Sequence, residues 1–171
     1  MAEHNILHIN SYLSFKLGEE EFATNAGRVL SILEMTKITE VPQAPSFMKG
    51  IINLRGRVLP VIDIRMKFGM PSTIFTSNTC IIVMEVEMDN SSTQLGILVD
   101  SVQAVLEVDK EKVLDAPNIG SKYKAEFIEG IIPQGDGFVM LLDIDKVFSS
   151  MEIVALTQST PNKLVEQVSE K

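Results

Sequence analysis

Apolar and polar positions alternate with a period of two over much of this chain, as in strands that bury one face. Tyr12-Leu13-Ser14-Phe15-Lys16-Leu17 alternates, Gly18 supplies a turn, and Glu21 to Asn25 resumes the extended pattern, which predicts a hairpin. Val58-Leu59-Pro60-Val61-Ile62, Cys80-Ile81-Ile82-Val83-Met84, Ile97-Leu98-Val99 and Val139-Met140-Leu141-Leu142 are short β-rich apolar runs and predict buried strands. Leu54-Arg55-Gly56-Arg57 and Gln134-Gly135-Asp136-Gly137 lie between such runs and read as hairpin connections, while Pro60 within a run predicts an edge strand or a bulge. Asp63 and Asp143 each precede a short amphipathic stretch ending near Phe68 and Phe148, where an aspartate can cap a helix start. Many short strands with few helices predict a mainly β fold of paired small barrels.

The chain also repeats itself. At an offset of 80, Phe47-Met48-Lys49-Gly50-Ile51-Ile52 aligns with Phe127-Ile128-Glu129-Gly130-Ile131-Ile132, Asp63-Ile64 with Asp143-Ile144, and Phe68 with Phe148. Seven of 22 positions are identical, where ordinary usage gives roughly one or two. At an offset of 73, Val29, Ile32, Leu33 and Glu34 meet Val102, Val105, Leu106 and Glu107. The halves, about 12–70 and 78–150, are expected to form one barrel each and to share an interface within a single domain over 12–155. Residues 1–11 are expected to be a mobile start, 88–93 a polar turn, and 156–171 a tail with the pattern of a short helix.

Composition narrows the function. With 171 residues and 45% apolar content the chain can build a core without disulfide or metal staples. Its one cysteine, Cys80, fits a reducing compartment and predicts a cytoplasmic protein, and the start has neither the basic region nor the apolar run of a signal peptide. No stretch approaches the ~20 apolar residues that span a bilayer, so direct membrane insertion is not expected. Net charge is −8 and the pI about 4.8, which argues against nucleic-acid binding. Residues 1–75 nevertheless hold 8 basic against 7 acidic groups, including all four arginines.

Catalytic chemistry is sparse. His4 and His8 lie in the expected mobile start, Cys80 sits in an apolar run as a small core residue, and the glycines from Gly130 to Gly137 lack a phosphate-loop ending. Asp143 and Asp145 could pair, but Asp143 repeats Asp63, which favours capping. No catalytic residue, metal or cofactor is expected. The two copies diverge most sharply at Asn53-Leu54-Arg55-Gly56-Arg57 against Pro133-Gln134-Gly135-Asp136-Gly137. Around the first of these, Lys49, Arg55, Arg57, Arg65 and Lys67 oppose only Asp63, a basic patch suited to an acidic partner.

The stretch Ile38-Thr39-Glu40-Val41-Pro42-Gln43-Ala44-Pro45-Ser46-Phe47-Met48-Lys49-Gly50-Ile51-Ile52-Asn53-Leu54-Arg55-Gly56, followed by Pro60-Val61-Ile62-Asp63-Ile64-Arg65, resembles the CheW family of chemotaxis coupling proteins. Gly96 to Val102, Val105-Leu106 and Phe127 to Gly130 are similar to that family's later motifs, so the resemblance covers about 12–150. It implies two intertwined five-stranded SH3-like β-barrels with short helices and no catalysis. It also implies an adaptor linking the helical-hairpin cytoplasmic tips of chemoreceptors to the regulatory domain of a chemotaxis histidine kinase, recruited from the cytoplasm to receptor arrays.

Two barrels meeting along a seam can leave an apolar groove for a receptor's helical hairpin, with Val29, Ile32, Ile81, Val102 and Val105 as candidate walls; the resemblance favours Val29, Ile81 and Val105 among them and implies that Arg55 helps organise receptor and kinase contacts. For kinase contact it points to Lys49, Gly50, Asn53, Leu54, Arg55, Gly56 and Arg57. The chain departs from the family pattern at Ala23-Thr24-Asn25, Ser31 and Glu40, which motivates an alternative: an adaptor of an accessory chemosensory system, or one that sequesters its partners.

Overall fold

The computed structural model describes residues 9–88, 91–115 and 127–148. Ten strands account for most of them: β1 Ile9–Leu17, β2 Glu20–Asn25, β3 Val29–Glu34, β4 Met48–Leu54, β5 Arg57–Asp63, β6 Cys80–Met88, β7 Ser91–Val99, β8 Ser101–Asp109, β9 Ile128–Gln134 and β10 Gly137–Leu142. One-turn helices at Ile64–Lys67 and Ile144–Val147 follow β5 and β10. The expected mobile start is shorter than 1–11, because Ile9, Asn10 and Ser11 already pair with Asp109, Val108 and Glu107. His4, His8 and the tail 156–171 lie outside the described residues.

The strands form two five-stranded sheets, ordered β8-β1-β2-β10-β9 and β3-β6-β7-β5-β4. These are not the contiguous halves 12–70 and 78–150. The first sheet takes β1 and β2 from the first half and β8, β9 and β10 from the second; the other joins β6 and β7 to β3, β4 and β5. Each repeat has exchanged its leading hairpin with the other. The exchange costs nothing in register, because the equivalent hairpins make equivalent pairings: β10 runs parallel to β2 as β5 runs parallel to β7. The chain therefore changes sheet twice, between β2 and β3 and between β7 and β8.

Alternation along the strands sorts the apolar side chains into three layers. Ile52, Leu59, Val61, Ile81, Val83 and Leu98 bury against one another; all come from one sheet, which must therefore curl around them. Tyr12, Ala23, Val108, Val139 and Leu141 do the same for the other sheet. The opposite faces meet in the largest cluster, where Leu13, Phe15, Phe22 and Leu142 of one sheet pack with Ile62, Ile82, Met84, Leu95 and Ile97 of the other. The aromatic series Phe15, Phe22, Phe68 and Phe127 crosses this seam with ring centroids 6.2, 5.6 and 6.1 Å apart. Burial on both faces explains why β6 reads as a continuous apolar run.

Pro60 lies in β5, an interior strand, rather than at an edge. It is opposite Ile51, whose own N–H and C=O turn away to Thr39 at 2.8 and 2.9 Å, so this pair exchanges no ladder bonds. The missing N–H faces β7 one residue before the parallel pairing starts at Val61. The two β-hairpin tips differ: Arg55 and Gly56 have φ of +52° and +81°, a type I′ turn, whereas in Gly135-Asp136 only the glycine is positive, as type II′ requires.

The repeat is visible in detail. Register slips by one residue at Lys49 in β4 and at Glu129 in β9, and isolated bridges Thr39 to Ile51 and Leu114 to Ile131 cover both edges. A Cβ on Gly50, at φ +154°, would lie 2.3 Å from the Thr39 carbonyl oxygen; one on Gly130 would lie 2.1 Å from Val113 Cγ1. Asp143 caps its helix, accepting from the N–H groups of Asp145 and Lys146. Asp63 makes no such cap: it is fully buried and accepts from Ser72 Oγ, Thr73 N and Thr73 Oγ1. Because the first clash is with backbone and the second with a movable side chain, Gly50→Ala should cost about 2–4 kcal/mol. Gly130→Ala should cost less and be partly relieved by Val113→Ala, as urea denaturation of the variants will show.

Candidate adaptor surfaces

β3 and β8 are edge strands of their sheets. Val29 pairs with Met84 and Ile32 with Ile82, both members of the seam cluster. Val102 pairs with Phe15 and Val105 with Leu13, again seam residues. Cross-strand partners share a face, so these four side chains line the seam side of the two edges. The inner pair, Val29 and Val102, packs half-buried against the cluster. The outer pair is open, Ile32 at 46% and Val105 at 60% exposure. These pairs are the repeat equivalents at an offset of 73.

Ile81 does not belong with them. It is fully buried and pairs with Leu33 and Leu98, on the barrel-interior face of β6. One residue's shift along a strand reverses the face, and a groove wall at Ile81 is thereby corrected.

The basic hairpin stands at the other edge of the same sheet. Asn53 Oδ1 accepts the Gly56 N–H at 2.8 Å and holds the tip, Leu54 is half-buried, and Arg55 and Arg57 are exposed. Gly50 is buried beneath the 38–39 segment, so it shapes the strand and offers no surface. Lys49 places Nζ 5.3 Å from the centroid of the Phe75 ring. Beside the tip, a 550 Å³ hollow opens at the end of the barrel between Leu30, Leu33, Leu54, Arg55 and Glu85.

The basic patch read from the sequence is smaller in space. Arg65 is committed to Asp100, with Nη1 to Oδ2 at 2.6 Å, and donates from Nε to the Pro71 carbonyl at 2.9 Å. Lys67 lies over the rings of Phe47 and Phe127. Arg55 and Arg57 remain exposed, and Lys49 is half-buried over Phe75.

Sequence reasoning missed the roles of Arg65 and Asp145, which occupy equivalent places two residues after Asp63 and Asp143. Asp145 pairs with Arg28 at the first change of sheet, and its other oxygen accepts the Glu87 N–H at 2.9 Å. Arg28 also donates to the Glu85 carbonyl at 2.7 Å. Arg65 pairs with Asp100 at the second change of sheet, and Asp100 accepts the Gly18 N–H at 2.6 Å. The same strut is built twice with opposite polarity. The offset of 80 setting Arg65 against Asp145 was the available signal.

Other candidate chemistry is structural. Cys80 is half-buried, its Sγ 3.2 Å from the Asn78 carbonyl. Glu129 accepts a 2.5 Å hydrogen bond from Tyr12 OH, and burial together with this carboxylate pushes the phenol well above its ordinary pKa. Asn25, one of the departures from pattern, accepts the Gly27 N–H at 2.8 Å and serves the turn into β3. Among the described residues no three His, Cys, Asp or Glu side chains are grouped as a metal set, and no helix is long and apolar enough to cross a membrane.

Comparison with known proteins agrees with this architecture. The family model for the CheW-like domain matches residues 11–152. The chain is 33% identical over 142 residues to the chemotaxis protein CheW of Klebsiella aerogenes, covering 83% of each. It is 34% identical over 140 residues to that of Rhizobium meliloti, covering 82% of this chain and 88% of the relative. The crystal structure of the scaffolding protein TtCheW from Thermoanaerobacter tengcongensis superposes with a TM-score of 0.73 at 27% identity, covering 84% of this chain and 90% of that one. With its exchanged hairpins, two five-stranded sheets and a family match over most of its length, the chain belongs to the CheW family.

Proposed function

We propose that this protein is a non-enzymatic adaptor that couples chemoreceptors to a chemotaxis histidine kinase in arrays at the cytoplasmic side of the membrane. The observation that carries the reading is the presence of two exposed surfaces on one shared core: the seam edges with Ile32 and Val105, and the β4–β5 hairpin with Arg55 and Arg57 exposed and Lys49 half-buried behind them. An adaptor needs two surfaces at a fixed spacing, and the seam fixes that spacing.

The receptor would enter at the seam. Ile32 and Val105 are aliphatic and open, one on the edge strand of each sheet, and each has a half-buried valine beside it, Val29 or Val102, packed on the seam cluster. Such a surface suits the apolar face of a helical hairpin. Burying what remains exposed of these two side chains contributes about 1–1.5 kcal/mol each, so either one decides a change in affinity of up to about tenfold.

The kinase regulatory domain would meet Lys49, Asn53, Leu54, Arg55, Gly56 and Arg57 on the hairpin. Arg55 is held at positive φ at the tip of a tight turn, which fixes the direction in which its side chain leaves the backbone, and a backbone already ordered loses less entropy on binding. Arg55 stands at the tip, where it would also help organise receptor contact.

The test is co-sedimentation of the purified chain with a receptor cytoplasmic fragment and the kinase. Ile32→Asp and Val105→Asp should each lower receptor binding at least about tenfold while leaving kinase binding within twofold. Arg55→Glu should weaken ternary assembly while changing stability by only about 0.5 kcal/mol. Failure of the unmodified chain to bind either partner would contradict the reading. Arg55→Gly separates fold from function: it relieves the positive φ and should raise stability by about 0.5–1 kcal/mol, measured by denaturant titration, while weakening assembly.

A further inference from the structure

Between the helix Ile64–Lys67 and β6, the chain displays two large apolar side chains side by side: Ile74 is 80% exposed and Phe75 49%. The segment carrying them is pinned on both sides. Upstream, the Pro71 carbonyl accepts from Arg65 Nε at 2.9 Å, and Ser72 Oγ, Thr73 N and Thr73 Oγ1 donate to buried Asp63 at 3.0, 2.9 and 2.8 Å. Downstream, the Thr76 N–H donates to Thr79 Oγ1 at 2.8 Å and the Asn78 N–H to Thr76 Oγ1 at 3.1 Å. The hydrogen bonds that hold this loop thus also hold Ile74 and Phe75 out of the core.

Two more features adjoin the pair. Lys49 lies over the Phe75 ring. Lys49 also lines a 290 Å³ groove with Glu40, Val41, Ala44, Pro45 and Met66, and Met66 is itself 37% exposed. The groove wall turns at Gln43, a non-glycine residue with φ +61°. Knob, cation and hole are therefore contiguous. The repeat provides an internal comparison: Glu129, at the bulge equivalent to Lys49, is taken up by Tyr12, while Lys49 stays at the surface with Phe75.

We propose that Ile74 and Phe75, with Lys49, anchor the chain to the regulatory domain of the histidine kinase, entering an apolar pocket rimmed by carboxylate. The proposal rests on the coupling reading and extends its kinase surface. Continuity selects this occupant: Lys49 begins the basic hairpin that carries Arg55 and Arg57, and all three cations favour an acidic partner. Rigid, exposed aromatic and aliphatic groups are the usual anchors of such interfaces because little freedom is lost when they dock.

The experiment titrates full-length kinase and, separately, the receptor cytoplasmic fragment with the unmodified chain and with Ile74→Ser, Phe75→Ser, Phe75→Leu and Lys49→Glu. The serine variants should lose at least about tenfold in kinase affinity and Lys49→Glu several-fold. Phe75→Leu should retain most of the binding, receptor affinity should stay within twofold, and melting temperature within about 3 °C. Kinase affinity within twofold for the serine variants, with the unmodified chain binding normally, would overturn the anchor alone. Loss of receptor binding instead, or loss of self-association of the chain, would assign the knob to another occupant and overturn it too. No binding of kinase by the unmodified chain would overturn the coupling reading itself.

Discussion

The apolar layer between the two sheets is the constraint on which the rest of the structure depends. Each barrel has an interior of its own, but the seam cluster is the larger, and about half of its side chains come from the exchanged hairpins β1–β2 and β6–β7. The two repeats cannot separate without each withdrawing its leading hairpin from the sheet completed by the other. The spacing between any two surface features is therefore set by packed side chains and not by a linker, which is the physical requirement for transmitting position from one partner to another.

The two changes of sheet are where such an arrangement would loosen, and both carry the same strut. Arg28 with Asp145, and Arg65 with Asp100, each tie a one-turn helix to a crossing segment, and each carboxylate also accepts a backbone N–H. Partly buried pairs of this kind add little net energy. Their use is geometric: they fix the angle at which β3 and β8 leave the seam, and so the separation of Ile32 and Val105. The polarity reversal between the struts shows that the duplication kept the geometry while its charges diverged.

Most of the local structure was legible in the sequence because local rules produce it. The hairpin at Gly18, the tips at Arg55 and Gly135, the strand at Val58 and the doubled Phe47 to Ile52 motif all follow from alternation and turn chemistry. Strand exchange was not legible in the repeat itself, since equivalent hairpins satisfy either partner and nothing in a single repeat distinguishes them; only the family resemblance, with its intertwined barrels, implied it. The same ambiguity moved Ile81 from the groove to the interior: in a run buried on both faces, alternation no longer says which face is which. Asp63 and Asp143 share a sequence context yet behave differently, because Ser72 and Thr73 fold back on the first. Arg65 read as an open charge because its partner, Asp100, is 35 residues away.

The most direct test of this account is whether the two barrels unfold as one unit. Calorimetry combined with amide hydrogen exchange measures it. A shared seam predicts one transition with equal calorimetric and van't Hoff enthalpies, and the slowest amides of β1, β2, β6 and β7 exchanging at a single free energy. Two separable transitions, or β6–β7 protected while β1–β2 opens, would show two independent barrels and contradict the rigid spacing on which the adaptor reading depends.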